Sequence, residues 1–138
     1  MSDENSIITP DGVRFGPMES GKIYLCINKH RAKGNPAKTV WIIDEIEEFR
    51  IFKCADNEAW LDKKGNYWGL KKEGKKLVLL GNNERIAKFP VPQNKSDPWH
   101  GYPVSTDRDK PPKELVALWL SGDYISRADK KRIRLGSL

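Results

Sequence analysis

Apolar residues fall into short bunches along the chain, and the period within those bunches changes near residue 90. "KIYLCINK" alternates, with Ile23, Leu25 and Ile27 on one side and Tyr24, Cys26 and Asn28 on the other. That two-residue period predicts a half-buried strand. "TVWIIDEIEEFRIFK" satisfies two periods at once. Ile42, Ile43, Ile46 and Phe49 suit one face of a helix, whereas Phe49 and Ile51 suit a strand, and the β-branched and aromatic content tips the expectation toward strands at both ends. The turn signals "ADNE", "DKKGN" and "KKEGKK" then separate "RIFKC", "EAWL", "NYWGL" and "KLVLL", and "GNNE" leads into "RIAKF". Short runs joined by Gly- and Asn-bearing turns predict an antiparallel meander.

Beyond residue 90, "PVPQNKSDPWHGYPVSTDRDKPP" is broken repeatedly by proline and reads as a long ordered loop, a feature that compact domains keep mainly for function. The period then lengthens. Pro111 and Pro112 are placed to start a helix, Leu115, Leu118 and Trp119 share one face, and Gly122 can close it. Ser126 and Asp129 form a capping box for a second helix, "RADKKRIRL", that ends at Gly136. The fold class expected is α+β: an antiparallel β-meander sheet, a long Pro-rich loop and a C-terminal helical pair packed on the sheet. The whole chain, 1–138, reads as a single domain, with 1–90 mainly strands, 91–112 ordered loop and 113–136 two helices.

Composition sharpens this picture. At 38% hydrophobic and 32% charged, the chain reads as a folded protein with a heavily charged surface. The acidic, polar start "MSDENSIITPDG" has neither the basic nor the apolar region of an export signal, and runs such as "LVALWL" are too short to cross a bilayer. A cytoplasmic protein without a membrane partner is expected. Charge is uneven: residues 1–60 carry 8 basic and 10 acidic side chains, net −2, and residues 61–138 carry 17 and 9, net +8. That asymmetry points to a polyanionic partner, nucleic acid (RNA or DNA) first among them.

Two basic clusters are candidates for that contact. The last helix carries Lys130, Lys131, Arg132 and Arg134 in an outline similar to a helix-turn-helix, although no third helix is visible to complete a trihelical core. The plainer alternative is a helical hairpin with its charges in water, where basic residues in the last turn suit the helix dipole. The loop "NKHRAKGNPAK" supplies Lys29, His30, Arg31 and Lys33, with Lys38 beyond. Together with the lysines of the hairpin tips it could track a phosphate backbone, and Tyr67 and Trp68 could stack on bases.

Cys26, His30, Cys54 and His100 are the only soft ligands, and their spacing lacks the close pairs of a zinc site, so no metal and no cofactor is expected. "SDPWHGYPVS" gathers Trp99, His100 and Tyr102 into a proline-stiffened loop, where glycine beside the histidine would admit a ligand to the backbone. This loop reads as a binding surface, as a catalytic one, or as a structural corner. If catalytic, His100 would be general acid or base in a small basic ribonuclease, with Glu84 or Glu114 as its complement. A third possibility is a protein–protein adaptor anchored by Trp99 and Tyr102. The leading expectation is a non-enzymatic binding module for nucleic acid.

Overall fold

A computed structural model describes residues 4–31 and 39–138, an α+β arrangement of short antiparallel strands and three helices. Lys33, Lys38 and the Gly-Asn-Pro turn of the basic loop lie outside the described residues. Strands β1 (Ser6–Thr9), β2 (Gly12–Phe15) and β3 (Tyr24–Ile27) form one antiparallel sheet in sequence order. Phe15 faces Tyr24 across the pair, and the buried side of β3 is that of Tyr24 and Cys26.

The segment expected to yield the strand "RIFKC" is helical instead: α1 runs from Glu45 to Glu58. Its start explains why. Asp44 is extended and its carboxylate accepts the Glu47 backbone N–H at 3.0 Å. Glu45, Glu47 and Glu48 occupy the first turn, where the helix dipole favours negative charge. Phe49, Phe52 and Ala55 then recur every three residues and sink inward with Ile51. The β-branched Ile42 and Ile43, which weighed toward a strand, precede the cap and stay outside the helix.

After α1 come β4 (Tyr67–Gly69), a separate two-stranded hairpin of β5 (Lys72–Glu73) and β6 (Lys76–Leu77), then β7 (Ile86–Phe89) and β8 (Tyr102–Val104). β7 is the centre of an antiparallel sheet ordered β4-β7-β8. Among the described residues the strands therefore divide into three small sheets in place of one meander. The stretch 91–112, expected to be loop throughout, contributes β8, in which Pro103 faces Ala87. A strand containing proline is tolerated because β8 lies at the sheet edge, where a missing N–H breaks no ladder.

α1 packs on both β3 and β4, and its aromatic side chains join the two larger sheets. Phe49 stacks on Phe15 at 4.6 Å between ring centroids, and Phe52 meets Tyr24 at 4.9 Å and Phe89 at 5.3 Å. Helices α2 (Lys113–Ser121) and α3 (Arg127–Leu135) follow. Pro112 caps α2, and the Ser126–Asp129 capping box opens α3. Gly136 closes α3 at φ 73°, a left-handed conformation that glycine adopts without a Cβ penalty. α2 buries Leu115, Val116 and Trp119, while Leu118, expected on that face, is exposed. Trp119 meets Trp60 edge to face at 5.7 Å. No helix among the described residues is long and apolar enough to cross a membrane.

Candidate functional site

Two segments that the sequence separates by 70 positions meet in space. β3 ends at Ile27 and runs into a 3-10 turn, Asn28–His30. Beside it lies the stretch leading into β8. Trp99 donates its backbone N–H to the Ile23 carbonyl and accepts from Leu25 N–H, both at 2.8 Å, a short parallel bridge to β3. The next residue, His100, is thereby set beside the 3-10 turn. The rings of His30 and His100 lie 6.5 Å apart between centroids and 21° from parallel, and Tyr102 stacks on His30 at 5.3 Å. Trp41 ties both segments: its backbone N–H donates to the His30 carbonyl at 2.9 Å, and its indole N–H to the Gly101 carbonyl at 3.0 Å.

Gly101 serves this junction in a different way from the one expected. It is buried, and a Cβ there would stand 2.2 Å from Phe89 Cδ1 and 2.7 Å from the Lys88 carbonyl oxygen. Its missing side chain makes room for the core, not for a ligand. Trp99 packs one side of its ring inward onto Phe52 and Tyr67, at 5.5 and 5.1 Å, and is half-buried. His100 is half-buried. Burial first, and the Lys29 charge second, hold its imidazole below the ordinary histidine value.

Arg31 is occupied structurally. Its Nε and Nη2 both donate to Glu48 Oε1, at 3.1 and 2.8 Å, and its Nη1 donates to the Ile43 carbonyl at 2.7 Å. Glu48 is 1% exposed and also accepts the Tyr24 hydroxyl. Burial lifts the Glu48 carboxyl to about 7, against the opposing pull of the Tyr24 hydrogen bond and the Arg31 charge. This clamp fixes the residue that follows His30 to the first turn of α1. Lys29 is exposed.

The carboxylates considered as partners for His100 are elsewhere. Glu84 is buried beside Gly81, and Glu114 is exposed in the first turn of α2. What stands beside His100 is the second histidine. Tyr67 and Trp68, considered as stacking platforms, are 6% and 2% exposed. Their polar tips donate inward, Tyr67 to Asp56 and Trp68 to Asp62, so neither ring can receive a base. Cys26 is buried in β3 and Cys54 half-buried on α1, and no cluster of three metal-ligating side chains exists among the described residues.

The second basic element is α3. Arg127, Lys130, Lys131 and Arg134 occupy positions i, i+3, i+4 and i+7, which fall on one helix face. All are exposed, and no ion pair among the described residues engages them. Arg132, grouped with these from sequence, points away from that face, and Arg127 takes its place. By contrast, the hairpin lysines Lys71 and Lys72 are paired, the first with Glu47 and the second with Asp123. Neither family models, nor curated proteins, nor solved structures give a match to this chain.

Proposed function

We propose that the chain binds nucleic acid, RNA or DNA, through the basic face of α3. The observation that carries this reading is the run of four exposed cations at i, i+3, i+4 and i+7, none in an ion pair among the described residues. Helix stability does not account for it. Cations in the last turn suit the macrodipole, and that covers Arg132 and Arg134. Arg127 is at the first helical position, where the dipole disfavours positive charge, and Lys130 and Lys131 repel their neighbours three and four residues away. A surface held together against its own charge is suited to a partner of opposite sign, and phosphates evenly spaced along a strand supply it.

The test is binding of a labelled single-stranded RNA and a duplex DNA by fluorescence anisotropy across a salt series. Affinity should fall steeply and linearly on a log–log plot as salt rises. No binding at low salt, or affinity indifferent to salt, would refute the proposal.

A further inference from the structure

We infer that His30 and His100 form a general acid–base pair that cleaves RNA by transesterification. The inference rests on the nucleic-acid binding proposed above and selects RNA, because the reaction needs a 2′-hydroxyl. These two are the only histidines of the chain, and three separate attachments bring them together: the Trp99 bridge to β3, the double tether of Trp41, and the stacking of Tyr102 on His30.

A histidine kept only for structure would be buried and hydrogen-bonded. His100 is half-buried, and its Nδ1 has no hydrogen-bond partner among the described residues. With Nδ1 buried, proton exchange falls to Nε2. The lowered affinity of this imidazole for a proton keeps it neutral at pH 7, the state a general base requires. Lys29, exposed on the adjoining turn, is placed to offset charge gathering on a phosphate.

In the step itself, His100 Nε2 takes the proton of the 2′-hydroxyl as the 2′-oxygen bonds to phosphorus. The bond from phosphorus to the 5′-oxygen breaks, and His30 gives that oxygen a proton. The products are a 2′,3′-cyclic phosphate and a 5′-hydroxyl. Exchange with water returns each imidazole to its starting state. Entering and leaving oxygens lie on opposite sides of the phosphorus, so the two proton carriers must flank one phosphate, each about 2.6–3.2 Å from its oxygen. Ring centroids 6.5 Å apart admit that arrangement.

The experiment mixes the full chain with 5′-labelled single-stranded RNA and with its 2′-O-methyl counterpart, which can bind but has no nucleophile. The RNA should be cut to fragments ending in 2′,3′-cyclic phosphate, and the 2′-O-methyl strand should be bound and intact. His30→Gln and His100→Gln should each slow cleavage about 100-fold or more, with binding of the 2′-O-methyl strand unchanged within about twofold if the histidines act in the chemistry and not in the hold. Should a histidine variant fail to fold, Trp41→Phe carries the test, since it releases the Gly101 tether without touching either imidazole. Cleavage should then fall about tenfold, the cost of a small misplacement. RNA left intact while the 2′-O-methyl strand is bound overturns the inference and leaves nucleic-acid binding standing. Cleavage that survives the substitutions overturns it too, and absence of both binding and cleavage overturns both readings.

Discussion

Replacing Arg127, Lys130, Lys131 and Arg134 together with glutamine should weaken nucleic-acid binding and yet leave the protein at least as stable. On α3 these residues form four like-charge contacts at three- and four-residue spacing: 127 with 130, 127 with 131, 130 with 134 and 131 with 134. At about 0.2–0.5 kcal/mol each, repulsion amounts to roughly 1–2 kcal/mol. Removing Arg134 forfeits about 0.3–1 kcal/mol of favourable dipole interaction, and removing Arg127 from the first turn returns a similar amount. The capping box of Ser126 and Asp129 and the buried Ile133 are untouched. The net expectation is a melting temperature unchanged or raised by a few degrees.

Binding should respond oppositely. Each phosphate neutralised contributes about 0.7 to the salt slope on a single strand and about 0.9 on a duplex, so losing four contacts lowers the slope by about 3. Between 50 and 200 mM salt, the four contacts should account for roughly 50- to 150-fold of the wild-type loss of affinity. Anisotropy titrations at several salt concentrations and calorimetric melts of both proteins measure the two quantities. A variant that keeps the wild-type slope, or one that melts well below it, would refute the reasoning. The first result would place the contact elsewhere, and the second would make the cations structural.

Three further expectations concern the frame around the histidines. The folded state binds the Glu48 proton more tightly than the unfolded chain does, about 7 against an ordinary 4.5, so this group's contribution is complete below pH 4.5 and declines as pH rises through 7. Glu48→Gln should flatten the fall in stability between pH 5 and 8, and denaturant melts that keep the wild-type slope would contradict the assignment. Trp119→Ala should cost about 3–5 kcal/mol as a core truncation, and Trp119→Phe much less, because its indole N–H has no hydrogen-bond partner among the described residues to lose; urea midpoints for the pair decide this. Gly101→Ala should destabilise by about 1–3 kcal/mol through its clash with Phe89 and the Lys88 carbonyl. A fully stable alanine variant would show that this packing is slack.

Elements defined by local chemistry were legible in the sequence. Pro112, the Ser126–Asp129 box and Gly136 bound the two last helices where the spacing places them. α1 was legible in principle, because Asp44 followed by three glutamates within four residues is a helix start. Strand propensity from Ile42, Ile43 and Ile51 outweighed it, and two of those isoleucines precede the helix altogether. The meeting of His30 with His100 was not legible. It depends on the Trp99 bridge to β3 and the two bonds of Trp41, contacts that span up to 76 positions and leave no periodic signature. The exposure of the lysine-rich tips was readable, whereas the inward turn of Tyr67 and Trp68 was not, because alternation assigns residues to faces without saying that both faces of β4 are covered.

β8 connects the two candidate surfaces. Tyr102 at its start stacks on His30, and two residues beyond its end Thr106 exchanges hydrogen bonds with Leu138, which holds the chain just past α3. Four residues of extended backbone reach no more than about 14 Å. The histidine pair and the end of the basic helix are therefore fastened to the same short strand, one near each end, and that strand is paired to β7 at the centre of its sheet. An edge strand containing proline is a poor ladder but a firm mount here, because distant segments pin both ends, the His30 ring at one and the Leu138 backbone at the other. On the proposed reading, anchoring and chemistry are separable in this fold: the cations of α3 would hold a strand by charge alone, while the Trp41 and Glu48 contacts position the two imidazoles by geometry. Changes to the first should then alter how tightly a strand is held, and changes to the second should alter its cleavage once held.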